Sequence, residues 1–148
     1  MKNETLKLYG HIKGVDVKTG EVVFENHNDF VQLGLNEIAK LIAGQSAAIP
    51  THCAVGTSNA PTSSTDTGLK GTQLGRKAFD SFEITDSDIQ FVTTFGPNEA
   101  VGVWEETGIF TAEADGIMWS RALTGTYTKK EADEIKVFWT YKIKAGAN

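Results

Sequence analysis

The sequence predicts an antiparallel β-sandwich, or a flattened barrel, with one packed α-helix near residues 30–43. Three observations carry this. Turn signals recur about every 8–12 residues through the second half, the spacing of short antiparallel strands. The C-terminal run "IKVFWTYKI" alternates: Ile135, Val137, Trp139, Tyr141 and Ile143 fall on one face, and Lys136, Thr140 and Lys142 on the other, with Phe138 interrupting the polar face. Only one segment, "LNEIAKLI", has a helical apolar period.

In chain order, Thr5–Val17 is a strand whose apolar phase slips near Gly10 or Gly14, as at a bulge. Lys18-Thr19-Gly20 is a hairpin turn into a strand at Val22–Phe24. Leu35, Ile38, Ala39 and Ile42 then recur at helical spacing, with Leu41 widening the stripe. Asp29 reads as the N-cap, with Gln32 three residues on as in a capping box, and Gly44 as the C-terminal left-handed residue. Leu35, Ile38 and Ile42 are expected to face the sheet, and Gly34 to let the helix lie close against it. Thr51–Val55 is a short buried strand.

A polar stretch without periodicity follows, Thr57–Thr67. It is too long for a turn, so it reads as a tongue that is mobile or held by a partner. Beyond it, Ala78, Phe82 and Ile84 alternate up to the turn Asp86-Ser87-Asp88, and Ile89, Phe91, Thr93 and Phe95 alternate up to Gly96-Pro97-Asn98. Val101–Phe110 is a third run, and Ala114-Asp115-Gly116 closes a hairpin into Ile117–Leu123. There is no repeat and no linker, so residues 1–148 form a single domain.

Composition narrows the function. A net charge of -5 gives no basic footprint, which argues against direct nucleic-acid binding. No apolar run approaches the ~20 residues of a membrane span, and the start Met1-Lys2-Asn3-Glu4 does not resemble a signal peptide. A lone cysteine, Cys53, excludes an internal disulfide and suits a reducing cytoplasm.

No catalytic, cofactor or metal constellation emerges. Lys70-Gly71-Thr72 lacks the upstream glycine spacing of a phosphate loop. His11, His27 and His52 are scattered and read as surface or strand-edge residues. Cys53 follows His52, but neighbours on a strand point to opposite faces, so a buried inert thiol is expected. The same reasoning separates Glu105 from Glu106. Asp80, Glu83, Asp86 and Asp88 lack a calcium-loop spacing and read as solvated turn acids. Trp104, Trp119 and Trp139 would support a carbohydrate-binding module only if one were exposed in a groove; otherwise they are core residues.

The order of motifs adds a resemblance. "NDFVQLGLNEIAKLIAG" is followed by "THCAVGTSNAPTSSTDTGLKGTQLGR", then "EETGIFTAEADGIMWSRAL", then the alternating last strand. This resembles small tailed-bacteriophage virion structural proteins and is similar to the N-terminal attachment region of phage tail-collar fibre proteins, over roughly residues 28–124. Gly56, Pro61, Thr67, Leu69 and Arg76 stand at matching positions, as do Glu106, Gly108, Ile109, Phe110 and Gly116. Gln73 departs from the pattern where the family often has an acid, which puts in doubt an ion pair for Arg76.

The resemblance implies a non-enzymatic virion component made in the host cytoplasm. It would be an accessory tail, baseplate or neck protein or a fibre-attachment protein, or alternatively a capsid decoration protein. Its expected partners are other virion proteins, including copies of itself, with no nucleic acid, membrane, small-molecule substrate or cofactor. The expected contact residues lie on the tongue: Gly56, Thr57, Ser58, Asn59, Pro61, Thr62, Ser63, Ser64, Asp66 and Leu69. Ordering such a segment costs roughly 1–2 kcal/mol per residue, which a partner would have to offset.

Overall fold

The computed structural model describes residues 4–146. The Met1–Asn3 start, read above for a signal peptide, lies outside them. Among the described residues there are nine strands and one helix: β1 (Thr5–Asp16), β2 (Val22–Phe30), α1 (Gln32–Ile42), β3 (His52–Gly56), β4 (Gln73–Ala78), β5 (Ser81–Thr85), β6 (Asp88–Phe95), β7 (Gly102–Phe110), β8 (Met118–Lys129) and β9 (Ile135–Gly146). All pairings are antiparallel, in one sheet of order β4-β3-β7-β8-β2-β1-β9-β6-β5. The mainly-β fold with a single helix is as expected, built from one curled sheet, a half-barrel, rather than from two separate sheets.

The curl follows from the connectivity. β4 and β5 stand at opposite ends of the sheet, yet only Phe79 and Asp80 separate them in sequence. The two ends must therefore meet. At this corner Phe79 N–H donates to Thr51 O at 3.0 Å, toward β3, and Asp80 N–H donates to Val92 O at 2.7 Å, on β6. Lys77 Nζ spans the rest of the gap between β4 and β6, donating to Thr94 O at 2.8 Å.

The concave side holds the core. Ile12, Phe24, Cys53, Val55, Phe95, Trp104, Ile109, Ile135, Val137, Trp139 and Tyr141 are buried there in one cluster. The alternation of the last strand is thus an inside-outside alternation. Phe138, which breaks it, lies outside under the Lys13 ammonium, 5.6 Å from the ring centre. The expected phase slip in the first strand is real: the β1–β2 register shifts between Gly14 and Val15.

Helix α1 begins later than the capping box predicted. Its N-cap is Val31, with no side-chain cap. Asp29 is still in β2, where its carboxylate accepts the Thr62 hydroxyl. Gln32 N–H, an orphan donor of the first turn, donates instead to Ser64 O at 2.8 Å, so a distant loop caps the helix. The C-terminal expectation stands: Gly44 is left-handed, at φ 72°.

Packing of the helix also differs. Only Gly34 and Glu37 are buried, Leu35 and Ile38 are half-buried, and Ile42 is 74% exposed, so Ile42 does not face the sheet. The helix touches the sheet through its first turns, against β8, and its last turn runs clear. Gly34 makes that approach possible. A Cβ there would sit 2.7 Å from Cα and O of Trp119, closer than real carbons come. Gly34→Ala should therefore destabilise the protein by about 1–3 kcal/mol, although alanine is the better helix former by about 1 kcal/mol. Urea unfolding measures this; an unchanged or higher midpoint would show that the helix can lift off β8 at no cost.

Candidate functional site

Arginine in the apolar run "MWSRAL" is the least expected residue in the chain. Arg121 is fully buried, as is Glu106 on the neighbouring strand, and Asp66 of the tongue is 2% exposed. A register shift between Trp104 and Glu106 reverses the phase of β7. Trp104, Thr107 and Ile109 then point into the barrel, and Glu106, Gly108 and Phe110 point to its convex side. That side would be solvent in a single-layer sheet. Here residues 106–110 and 118–122 are buried throughout, because the tongue covers it.

The cover is fastened by charge-assisted hydrogen bonds. Arg121 Nε donates to Glu106 Oε1 at 2.9 Å. Its Nη1 donates to Ala60 O at 2.9 Å and to Asp66 Oδ2 at 3.4 Å, and its Nη2 to Ser58 O at 3.3 Å. Glu106 accepts three backbone N–H groups, from Ser58, Lys70 and Gly71, each at 2.8 Å. Asp66 also accepts Ser63 N–H at 3.0 Å and faces Lys70 Nζ at 3.3 Å. Gly71 is required: a Cβ there would meet Thr57 Oγ1 at 2.5 Å and Glu106 Oε2 at 3.0 Å. Leu69 closes a small apolar layer with Val31, Ala54, Phe110 and Met118.

The tongue is thus held against the sheet by hydrogen bonds within the chain. The ten expected contact residues divide. Gly56 is buried at the end of β3, and Asp66 and Leu69 are turned inward, so their side chains are occupied. Ser58 and Thr62 are half-buried by their bonds to the body. Thr57, Asn59, Pro61, Ser63 and Ser64 are exposed and form a ridge, all but Pro61 with small polar side chains. Beside it, Arg76 stacks on Phe110 at 3.7 Å and donates to Ala112 O at 3.2 Å and Asp115 O at 2.9 Å. Gln73 accepts Arg76 Nε–H at 3.0 Å, a neutral acceptor instead of an ion pair.

Of the remaining candidates, His11 and His27, expected to be scattered, are cross-strand neighbours on β1 and β2 with ring centres 6.2 Å apart. His11 pairs with Glu25 at 2.8 Å, and His52 Nδ1 lies 2.7 Å from the Thr51 hydroxyl. Cys53 points the other way, into the core, where burial pushes its thiol up to about 12. Glu105 is on the outer surface, bonded by the Thr126 hydroxyl, and shares nothing with Glu106. Among the described residues no group of three His, Cys, Asp or Glu side chains could hold a metal ion. Trp104 and Trp139 are 0% and 1% exposed and offer no face to a sugar ring, whereas Trp119, 5% exposed, borders an apolar groove.

A second feature was not foreseen. The barrel wall is open between β5 and the segment joining α1 to β3, and the gap is an apolar groove of about 300 Å³. Phe30, Phe91, Trp119 and Tyr141 are among its lining residues, with Leu41 and Ile49 on one side and Phe82 and Ile84 on the other. The sequence held a signal: Phe82 and Ile84 alternate on a strand too short and too polar-flanked to be a core strand. The Leu41–Ile49 wall is held by Glu37, which accepts Ala48 N–H at 2.9 Å and pairs with Lys40 at 2.7 Å. Ala48 O in turn accepts Trp119 Nε1 at 3.0 Å.

Comparison with family models, with curated proteins and with solved structures finds no match for this chain. The site is therefore read from its geometry.

Glu106→Ala leaves buried Arg121 with only Asp66, at 3.4 Å, as a counter-charge, and should cost about 3–5 kcal/mol. Subtilisin should leave the tongue of the free wild-type protein intact and cut it in Arg121→Ala; ready cleavage of the wild type would show that the latch opens easily. The Lys40 ammonium and Ala48 N–H hold the Glu37 carboxyl below its ordinary value of 4.5. A lowered carboxyl contributes stability that is complete above the unfolded value and is lost as pH falls through the folded one. The stability difference between wild type and Glu37→Gln should thus be largest near neutrality and shrink below about pH 4, measured by urea unfolding across that range.

Proposed function

We propose that this chain is a non-enzymatic structural component of a tailed-phage virion, an accessory tail, baseplate or neck protein or a fibre-attachment protein. The observation that carries the reading is where the resemblance motif falls. Gly56, Leu69, Arg76, Glu106 and Gly108 all build or border the latch beneath the tongue. The motif residues thus maintain one shaped surface, and none of them is a free nucleophile, acid or base. Glu106 and Arg121, the groups a reaction would need, have their hydrogen-bonding capacity taken up by the protein itself. A rigid ridge of small polar side chains presents itself to a neighbour with little ordering cost, which favours docking.

Deleting Ser58–Ser64 is a poor test, because Ser58 and Ala60 satisfy Glu106 and Arg121, and their loss would unfold the site. Substitutions at the exposed ridge are cleaner. Asn59→Arg with Ser64→Arg should leave the melting temperature within a few degrees and reduce incorporation of the protein into particles. Mass spectrometry of gradient-purified virions reads both presence and copy number. Copies matching the tail proteins support the proposal, copies matching the major capsid protein favour decoration of the shell, and absence from particles overturns both.

A further inference from the structure

We propose that the free edge of β5 takes up an extended segment of another protein as an added strand, with apolar side chains entering the groove and lysine or arginine side chains lying over Glu83. This deepens the reading of the chain as one that works by holding other proteins. Among the described residues β5 ends the sheet with β6 as its sole strand neighbour, and all five of its residues are exposed. Exposed edges are ordinarily protected by lysine, proline, a bulge or a covering loop. β5, "SFEIT", has none of the first three. The other end of the sheet differs: β4 carries Arg76, fastened to Ala112 and Asp115, and Lys77, bonded to Thr94 O and Glu99.

Side-chain direction selects the occupant. Phe82, 65% exposed, and Ile84, 62% exposed, line the groove, so Ser81, Glu83 and Thr85 point to the convex side. An added strand lies about 4.8 Å away and continues the same pleat. Its residues beside Phe82 and Ile84 would drop into the gap facing Leu41 and Ile49, and the intervening ones would stand beside Glu83. That outer rim is acidic. Glu83, Asp86 and Asp88 form no ion pair among the described residues. The complementary segment alternates apolar with basic residues. A second copy of β5 fits poorly, because antiparallel pairing centred on Glu83 sets two carboxylates directly opposite, which is destabilising. An acyl chain would fill the groove and leave the row of edge N–H and C=O groups unused.

The test uses the whole protein and a yeast-displayed library of random peptides about ten residues long. Enriched sequences should alternate Val, Ile, Leu or Phe with Lys or Arg and should be depleted of acids. A synthetic peptide of the leading sequence should slow hydrogen exchange of β5 amides. N-methylation of alternate peptide amides should abolish binding, Phe82→Asp should do the same without lowering the melting temperature, and Glu83→Lys should weaken binding roughly tenfold. Failure to enrich any peptide, enrichment at helical spacing, indifference to charge, or equal binding of the N-methylated peptide would each overturn the proposal, as would laurate binding the groove where no peptide does. Because the peptide assay requires no particle, its failure and absence of the protein from virions are separate results.

Discussion

Two charges with no access to water, Glu106 and Arg121, hold the convex face of this sheet together. Burying them is expensive, several kcal/mol for each ion after relaxation. Their attraction alone does not make the arrangement stable. What offsets the cost is that nearly every lone pair and N–H of the two groups has a partner, and most of those partners are backbone atoms of the tongue. The dependence runs both ways. Without the pair the tongue has no acceptor for its amides, and without the tongue the pair has no escape from desolvation. A segment with almost no apolar residues is thereby ordered on a hydrophobic protein, and its ordering cost is met from within the chain.

Other features rest on that cover. A single-layer antiparallel sheet normally keeps one face wet, but residues 106–110 of β7 and 118–122 of β8 are buried on both faces, and the second layer here is irregular loop. The loop also supplies Ser64 O to the first turn of α1 and Thr62 to Asp29, so the position of the helix is tied to the same latch. The helix in turn carries Glu37, which holds the Ala48 segment and so the Leu41–Ile49 wall of the groove. Hydrogen-bonded elements thus connect the latch at Arg121 to the groove by way of the helix N-terminus.

The strands and hairpins were legible because their signals are local. Alternation in Ile135–Ile143 and the left-handed turn at Asp115-Gly116 are decided by neighbours in sequence. Gly34 was legible for the same reason: a glycine inside a good helical pattern implies a close neighbour. What could not be read depended on partners far away in the chain. Asp29 is a good cap by its local sequence, yet the strand extends to Phe30 and Thr62 claims the carboxylate. Ile42 has the right period, but a three-turn helix crossing one strand buries only its beginning. The tongue looked unstructured because its bonds go from backbone atoms to Glu106 and Arg121, and backbone atoms leave no mark on sequence. Arg121 was the available clue: an arginine between Ser120 and Ala122 in a strand interior must be paired if it is buried.

The two candidate surfaces differ in kind, and that difference bears on what each can recognise. The tongue is polar and already satisfied internally, so a partner must fit its shape with little to gain from ordering it. The β5 edge and its groove are the opposite: unpaired backbone and exposed Phe82 and Ile84, which gain from being covered whatever the detailed fit. A chain built this way can seat against one neighbour through the rigid ridge and capture an extended segment of another through the open edge. The shared path through α1 means that the two contacts need not be independent. Glu37 lies at the junction, beside the buried Gly34 turn on one side and the groove wall on the other, and it is the residue whose protonation would loosen the wall while leaving the latch in place.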